Sequence, residues 1–264
     1  MRFRLRAFEP VLILRRPPQA TVSKDYGGIR ATAIRRYLAR AMKPYERTKL
    51  YDLASAAPLI ALYGWTIMQN GPLLAARYAS LRNGDAGIEA AAETLAHLLA
   101  LIFAGLLIVL LFIRTVPVCK LPGASPRIAA VLGTGSGLAI LMLPAAALPY
   151  WIYAFSATLI LAGLSGAAFS MLWLRRSFSV MPEARRLVTR GPYAVIRHPV
   201  YLFEEIALFG IMLQFARPWA FLIFAAQFGF QLMRIGYEEK VLSGTFPGYA
   251  PYAARTWRLI PGLY

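Results

Sequence analysis

A chain of 264 residues with 58% hydrophobic side chains, a mean hydropathy of +0.53 and a net charge of +17 is too apolar for an ordinary soluble domain. The basic excess does not point to nucleic acid, because Lys and Arg gather on the cytoplasmic flank of membrane proteins, where anionic head groups attract them. A single cysteine, Cys119, excludes an intramolecular disulfide, and the two separated histidines, His97 and His198, fall short of a zinc ligand set.

Residues 1–50 carry thirteen Lys and Arg against Glu9, Asp25 and Glu46. Ile29, Ile34, Tyr37, Leu38, Ala41 and Met42 fall near helical spacing with arginines between them, which predicts an amphipathic helix lying in the interface. Residues 1–27 show no periodicity and read equally well as a solvated basic tail. The N-terminus lacks the apolar core and small-residue cleavage site of a signal peptide, so none is expected.

Six apolar segments follow, at about Leu53–Gln69, Thr94–Ile113, Ile128–Leu148, Trp151–Leu174, Tyr201–Ala216 and Trp219–Ile235. They predict an all-α, polytopic membrane helical bundle of about six transmembrane helices. With the N-terminus inside, the predicted outer loops hold only Arg77, Arg82 and Arg217 of the 29 basic residues. That asymmetry puts both termini on the cytoplasmic side. Small-residue runs at 132–137 and 162–168 read as helix-packing surfaces, since Gly135 has none of the strand context of a dinucleotide loop.

Chemistry concentrates in two clusters, which an even number of spans places on the same face. The first, Arg185 to Glu205, holds Gly191, Pro192, Tyr193, Arg197, His198, Pro199, Tyr201, Glu204 and Glu205. The two prolines disfavour helix at the residues before them, which predicts an ordered turn entering the fifth span. Arg197 is permanently charged and His198 is a context-dependent donor, while Tyr193 and Tyr201 offer aromatic faces. An interfacial anchor with Tyr201 in an aromatic belt is the competing reading. Glu204 and Glu205 are expected in the first turn of the fifth helix, where its dipole favours carboxylates. The second cluster, Arg234 to Lys240, sets Arg234 and Glu238 on one helix face, as a plain ion pair or as two halves of a site. Beyond it Phe246, Tyr249, Tyr252, Trp257 and Arg258 form an aromatic-basic tail expected to fold back as a cap, or else to lie loosely on lipid.

LVTRGPYAVIRHPVY at 187–201, RIGYEEKVL at 234–242, and then Phe246, Tyr249, Tyr252, Arg258 and Pro261, resemble the isoprenylcysteine carboxyl methyltransferase family and its integral-membrane methyltransferase relatives. The resemblance covers about the last ninety residues. Charge and hydropathy set off a basic arm (1–50) and N-terminal transmembrane helices (51–150), and the resemblance implies that the remainder (151–264) is a methyltransferase core with a cytoplasmic-face cofactor pocket. It implies S-adenosylmethionine as cofactor and S-adenosylhomocysteine as product, bound by Leu187, Val188, Gly191, Tyr193, Arg197, His198, Pro199, Tyr201 and Glu238. Arg185 and Arg186 sit where the family also approaches the cofactor. Arg234 would face the methyl acceptor, with Glu204, Glu205, Tyr252 and Arg258 beside it. At Phe203 the chain departs from the family pattern, which has glycine there and so a different packing of the fifth helix.

Methyl transfer from a sulfonium needs alignment and exclusion of water, which suits a chain without a nucleophile triad or metal box. Arg234, Glu238 and Glu239 are the catalytic candidates. A carboxylate acceptor attacks directly, whereas an amine needs a base, for which Glu204, Glu205 or Glu239 serve. The expected partners are a membrane lipid or lipidated acceptor and anionic lipid head groups, not nucleic acid. An NADPH-dependent sterol-type reductase and a non-enzymatic membrane scaffold are the alternatives.

Overall fold

The computed structural model describes residues 46, 48–84, 87–215 and 217–264. The predicted interfacial helix of the basic arm lies outside these. The described chain is helical, with helices α1 (Lys49–Arg82), α2 (Ile88–Ile113), α3 (Ala124–Gly135), α4 (Tyr150–Leu174), α5 (Pro199–Leu213), α6 (Trp219–Thr245) and α7 (Tyr249–Ala253). Two short strands, β1 (Cys119–Lys120) and β2 (Glu183–Ala184), pair antiparallel with Cys119 opposite Ala184.

Contacts between distant residues show how the chain folds back on itself. At one end Arg114 Nε meets Asp52 Oδ2 at 2.9 Å, the Thr115 amide donates to the Arg176 carbonyl at 2.9 Å, and β1 pairs with β2. The ends of α2 and α4 therefore lie beside the start of α1. At the opposite end Ala145 bridges Phe215, joining the exit of the α3 segment to the exit of α5. This is an all-α bundle with its polar segments gathered at one end.

Four helices among the described residues are long and apolar enough to cross a membrane: Ala90–Ile113, Ala124–Met142, Tyr150–Ser177 and Trp219–Thr245. The protein is an integral membrane protein, and the expectation of six spans is corrected in two places. The predicted first span lies inside α1, whose 34 residues carry Pro58 and Pro72 and are less apolar than α2. The predicted fifth span becomes α5, whose 15 residues reach about 22 Å against a hydrocarbon core of about 30 Å. Two further boundaries shift. The third span ends in a 3₁₀ stretch, Ser136–Met142, and α6 continues beyond Ile235 to Thr245.

Helix α5 tolerates its shortness because it lies against α4 rather than in open lipid. A Cβ at Gly163 would overlap the backbone of Ala207, and one at Gly166 would overlap the Phe203 ring. Phe203, which departs from the family pattern, thus fills space that Gly166 leaves open across the helix pair. Ser156 Oγ donates to the Gly210 carbonyl at 2.8 Å and accepts from Gln214 Nε2 at 2.8 Å, so the small-residue face also carries hydrogen bonds. The run at 132–137 behaves likewise: Gly133 lies against Gln231, and Gln227 Nε2 donates to the Gly133 carbonyl at 2.8 Å.

The tail folds back. Tyr249 and Tyr252 are buried, Trp257 bridges Ile196, and the Arg197 amide donates to the Trp257 carbonyl at 2.8 Å. The alternative of a loose tail on lipid does not describe it.

Candidate functional site

Pro192 and Pro199 shape the turn that leads into α5. Gly191–Ala194 forms a single 3₁₀ turn, and His198 adopts φ −125°, ψ 57° ahead of Pro199, the first residue of α5. Gly191 has φ +62° and lies under the Trp173 ring, so the turn needs glycine for both conformation and clearance. The result aims His198 and Tyr201 at α6. Their rings stack with centroids 5.5 Å apart and planes 6° from parallel, and the Arg234 guanidinium lies over the Tyr201 ring at 4.5 Å. Because residues 234 and 238 share a helix face, Arg234 Nε also meets Glu238 Oε1 at 3.3 Å, and the Tyr201 hydroxyl donates to that oxygen.

These groups line a cavity of about 970 Å³, measured to its open mouth. Of the residues expected at a cofactor site, Leu187, Val188, Tyr193, Arg197, His198, Tyr201 and Glu238 line it, and so do Arg234, Glu204 and Tyr252. Gly191, Pro199, Glu205, Glu239 and Arg258 do not, and each has another position. Gly191 and Pro199 build the turn. Glu205 lies behind the wall, accepting from Gln227 Nε2 at 3.0 Å. Glu239 is the centre of an ionic knot: its Oε1 is 2.8 Å from Arg197 Nε and 3.4 Å from His198 Nε2, and its Oε2 is 2.9 Å from Arg258 Nε. Arg197 Nη1 further donates to the carbonyls of Ala253 and Thr256 at 2.7 and 2.6 Å. This knot therefore ties α6, the turn and the tail together.

Glu204 and Glu205 do not sit in the first turn of α5, because the helix begins at Pro199 and has no acidic residue in that turn. Dipole stabilisation at the N-terminus therefore does not account for them. Across the α5–α6 interface Glu204 accepts from Gln231 Nε2 at 3.3 Å, and one oxygen of Glu205 is buried without a partner among the described residues.

Tyr252 has a positional part. Its hydroxyl donates to the Tyr193 carbonyl at 2.8 Å, pinning the cap onto the turn. Burial pushes the phenols of Tyr193, Tyr249 and Tyr252 well above their ordinary range, so all three stay neutral hydroxyls at physiological pH.

Several wall residues escaped the motif reading. Tyr63 of α1, Leu107 of α2 and Thr134 of α3 line the cavity, and Thr134 Oγ1 accepts from Arg234 Nη1 at 2.9 Å. Thr134 stands in a stretch read as packing alone, and its hydroxyl was the signal there. Arg185 also lines the cavity, but its guanidinium is committed elsewhere: Nη2 meets Asp52 Oδ1 at 2.7 Å and Glu183 Oε2 at 2.6 Å, and Nη1 donates to the Thr115 carbonyl. Asp52, fully buried, holds Arg114 with its other oxygen. A lone carboxylate at the head of an apolar run was the mark of this network.

The family model described as phospholipid methyltransferase matches residues 147–248. The chain is 31% identical over 115 residues to the cobalt-zinc-cadmium resistance protein CzcN of Cupriavidus metallidurans, an alignment covering 43% of this chain and 52% of that protein. It is also 31% identical over 114 residues to the nickel-cobalt-cadmium resistance protein NccN of Alcaligenes xylosoxydans xylosoxydans, covering 43% of this chain and 53% of that one. The chain thus spans about half the length of the curated relatives it matches. Over residues 147–248, from the start of α4 through the Arg-His-Pro turn to the end of α6, it is similar to the phospholipid methyltransferase family.

Proposed function

We propose that this protein is an S-adenosylmethionine-dependent methyltransferase that moves a methyl group to a lipid-like or lipidated acceptor, with both termini on the cytoplasmic side. The observation that carries this reading is the meeting of the Arg-His-Pro turn with the Arg234–Glu238 face around one cavity at the polar end of an apolar bundle.

The residues present suit the cofactor. Leu187 and Val188 supply apolar wall, Tyr193 an aromatic face and Glu238 a carboxylate for hydroxyl or amino hydrogens. The buried Tyr193 hydroxyl has no protein partner among the described residues and lines this cavity, so it is available to a ligand. Bound there, S-adenosylmethionine supplies an already activated methyl group. What remains for the protein is to bind, align and keep water out. Tyr201 fixes the Glu238 carboxylate, and Arg234, braced by Thr134 and Tyr201, presents a planar cation to an anionic acceptor group. Glu239, bound on both oxygens, holds the turn and the tail in place instead of meeting substrate. An amine acceptor would give up its proton to Glu204, the wall carboxylate whose hydrogen bond is to Gln231 and not to an arginine.

Titration of the detergent-purified protein with S-adenosylhomocysteine and separately with NADPH tests the cofactor. Binding of the first alone is expected, and binding of NADPH alone would replace this reading with a reductase. Mass spectrometry of lipids and lipidated peptides incubated with methyl-labelled cofactor then identifies the acceptor.

A further inference from the structure

Next to the cavity runs a second, more open groove of about 2130 Å³, lined by the segments after α2, at the end of α4 and from Arg185 to Arg190. The two share a wall, since Arg185, Arg186, Leu187 and Val188 line both. Four arginines of the groove are exposed: Arg175, Arg176, Arg186 and Arg190. None of their side chains has a hydrogen bond or ion pair among the described residues. Arg114 and Arg185 nearby are both engaged by Asp52.

Helix-end charge compensation explains part of this. Arg175 and Arg176 follow the C-terminus of α4, where a cation is favoured. It does not explain Arg186 and Arg190, which belong to no helix. The groove walls are also tied down. Thr115 bonds to the Arg176 carbonyl through its amide and its hydroxyl, and Trp173 lies on Gly191. The same groove includes apolar side chains that the described residues leave exposed: Val118 is 63% exposed, Leu172 55% and Trp173 41%.

Unpaired guanidinium groups beside uncovered apolar side chains, at the polar end of membrane helices, match one ligand chemistry. It is a phosphate monoanion joined to hydrocarbon chains and not neutralised by a cation of its own head group. We infer that this groove is a binding site for an anionic phospholipid of the surrounding bilayer, its phosphate among Arg175, Arg176, Arg186 and Arg190 and its chains against Val118, Leu172 and Trp173. This lipid is a resident ligand, distinct from the methyl acceptor. Because it lies on the outer side of the Arg185–Val188 wall, its binding steadies that wall. Resting on the proposed function, the inference adds that S-adenosylhomocysteine binds more tightly when the groove is filled.

Native mass spectrometry of the detergent-purified full chain with phosphatidylglycerol or phosphatidylcholine tests the site. The expected result is one retained phosphatidylglycerol, bound at least tenfold more tightly than phosphatidylcholine. The Arg175→Gln/Arg176→Gln/Arg190→Gln variant, and Arg190→Glu alone, should lose that preference while eluting and melting like the parent. The control variant Arg127→Gln/Arg255→Gln, which removes two exposed arginines outside the groove, should keep it. Equal retention of the two lipids, an undiminished triple variant or an equal loss in the control would overturn the site. Displacement of phosphatidylglycerol by millimolar inorganic phosphate would overturn the lipid in favour of free phosphate. S-adenosylhomocysteine titrations on the same preparations separate the two proposals. Lipid retention without cofactor binding rejects the methyltransferase reading and leaves the groove standing.

Discussion

At the scale of single residues, the site divides into groups facing the cavity and groups holding them. Glu238 faces it and takes the Tyr201 hydroxyl, whereas Glu239 beside it is enclosed by Arg197, His198 and Arg258. Glu238→Gln is expected to weaken S-adenosylhomocysteine binding by roughly tenfold to a hundredfold, the worth of a charge-assisted hydrogen bond of about 1.5–3 kcal/mol, as read by titration calorimetry. Arg234→Lys removes the planar fork that stacks on Tyr201 and reaches Thr134, so methyl transfer should fall about tenfold or more while cofactor affinity holds. Equal losses of affinity and rate in the Lys variant would move Arg234 to the cofactor side. The cavity-facing residues of the turn and of the Arg234–Glu238 face were legible in the sequence, because prolines, paired aromatics and an i,i+4 Arg-Glu spacing are local signals. The different parts played by Glu238 and Glu239 were not, since they depend on arginines 42 residues before and 19 after Glu239, at positions 197 and 258.

At the scale of elements, the α4–α5 pair and the folded-back tail set the shape of the site. Gly163→Val would drive a side chain into the Ala207 backbone, which cannot give way as a flexible side chain would. The expected outcome is a sharp drop in folded, monodisperse protein on size-exclusion chromatography. Tyr252→Phe should instead leave the bundle intact and cost about 1 kcal/mol, the net worth of one hydrogen bond. Faster hydrogen exchange confined to the Gly191–Ala194 turn and residues 249–258 would register it. The helices were readable from hydropathy, and α4 agrees with its expected bounds to within one residue. The span count was not, for a physical reason. An apolar run reports which side chains avoid water, but it does not say whether they meet lipid or another helix. Helix α5, lying against the glycines of α4, is apolar through helix contact without the length to cross alone.

At the scale of the molecule, the buried Asp52 carboxylate joins α1 to Arg114 after α2 and to Arg185 beside the cavity. Removing it leaves buried Arg114 without a carboxylate and Arg185 with Glu183 alone, so Asp52→Ala is expected to destabilise the protein by about 3–5 kcal/mol, visible as a large fall in melting temperature. Burial alone would raise this carboxyl's pKa, but the hydrogen bond and charge of Arg185, joined by Arg114, hold it below the ordinary value of 3.8. A depressed folded value means the contribution is complete above the unfolded value and fades as pH falls through the folded one. Melting temperature should therefore decline below about pH 4, and the part due to Asp52 should be missing from the acid limb of Asp52→Asn.

The Asp52–Arg185 contact bridges 133 positions, from a helix outside the segment shared with the methyltransferase family to a residue inside it. Anyone splicing the front of this chain onto the back of a relative would therefore have to carry acid and base across as a couple. Sequences that have lost one should have shed the other, leaving a paired substitution as the inherited trace of a joint between the front helix and the matched segment.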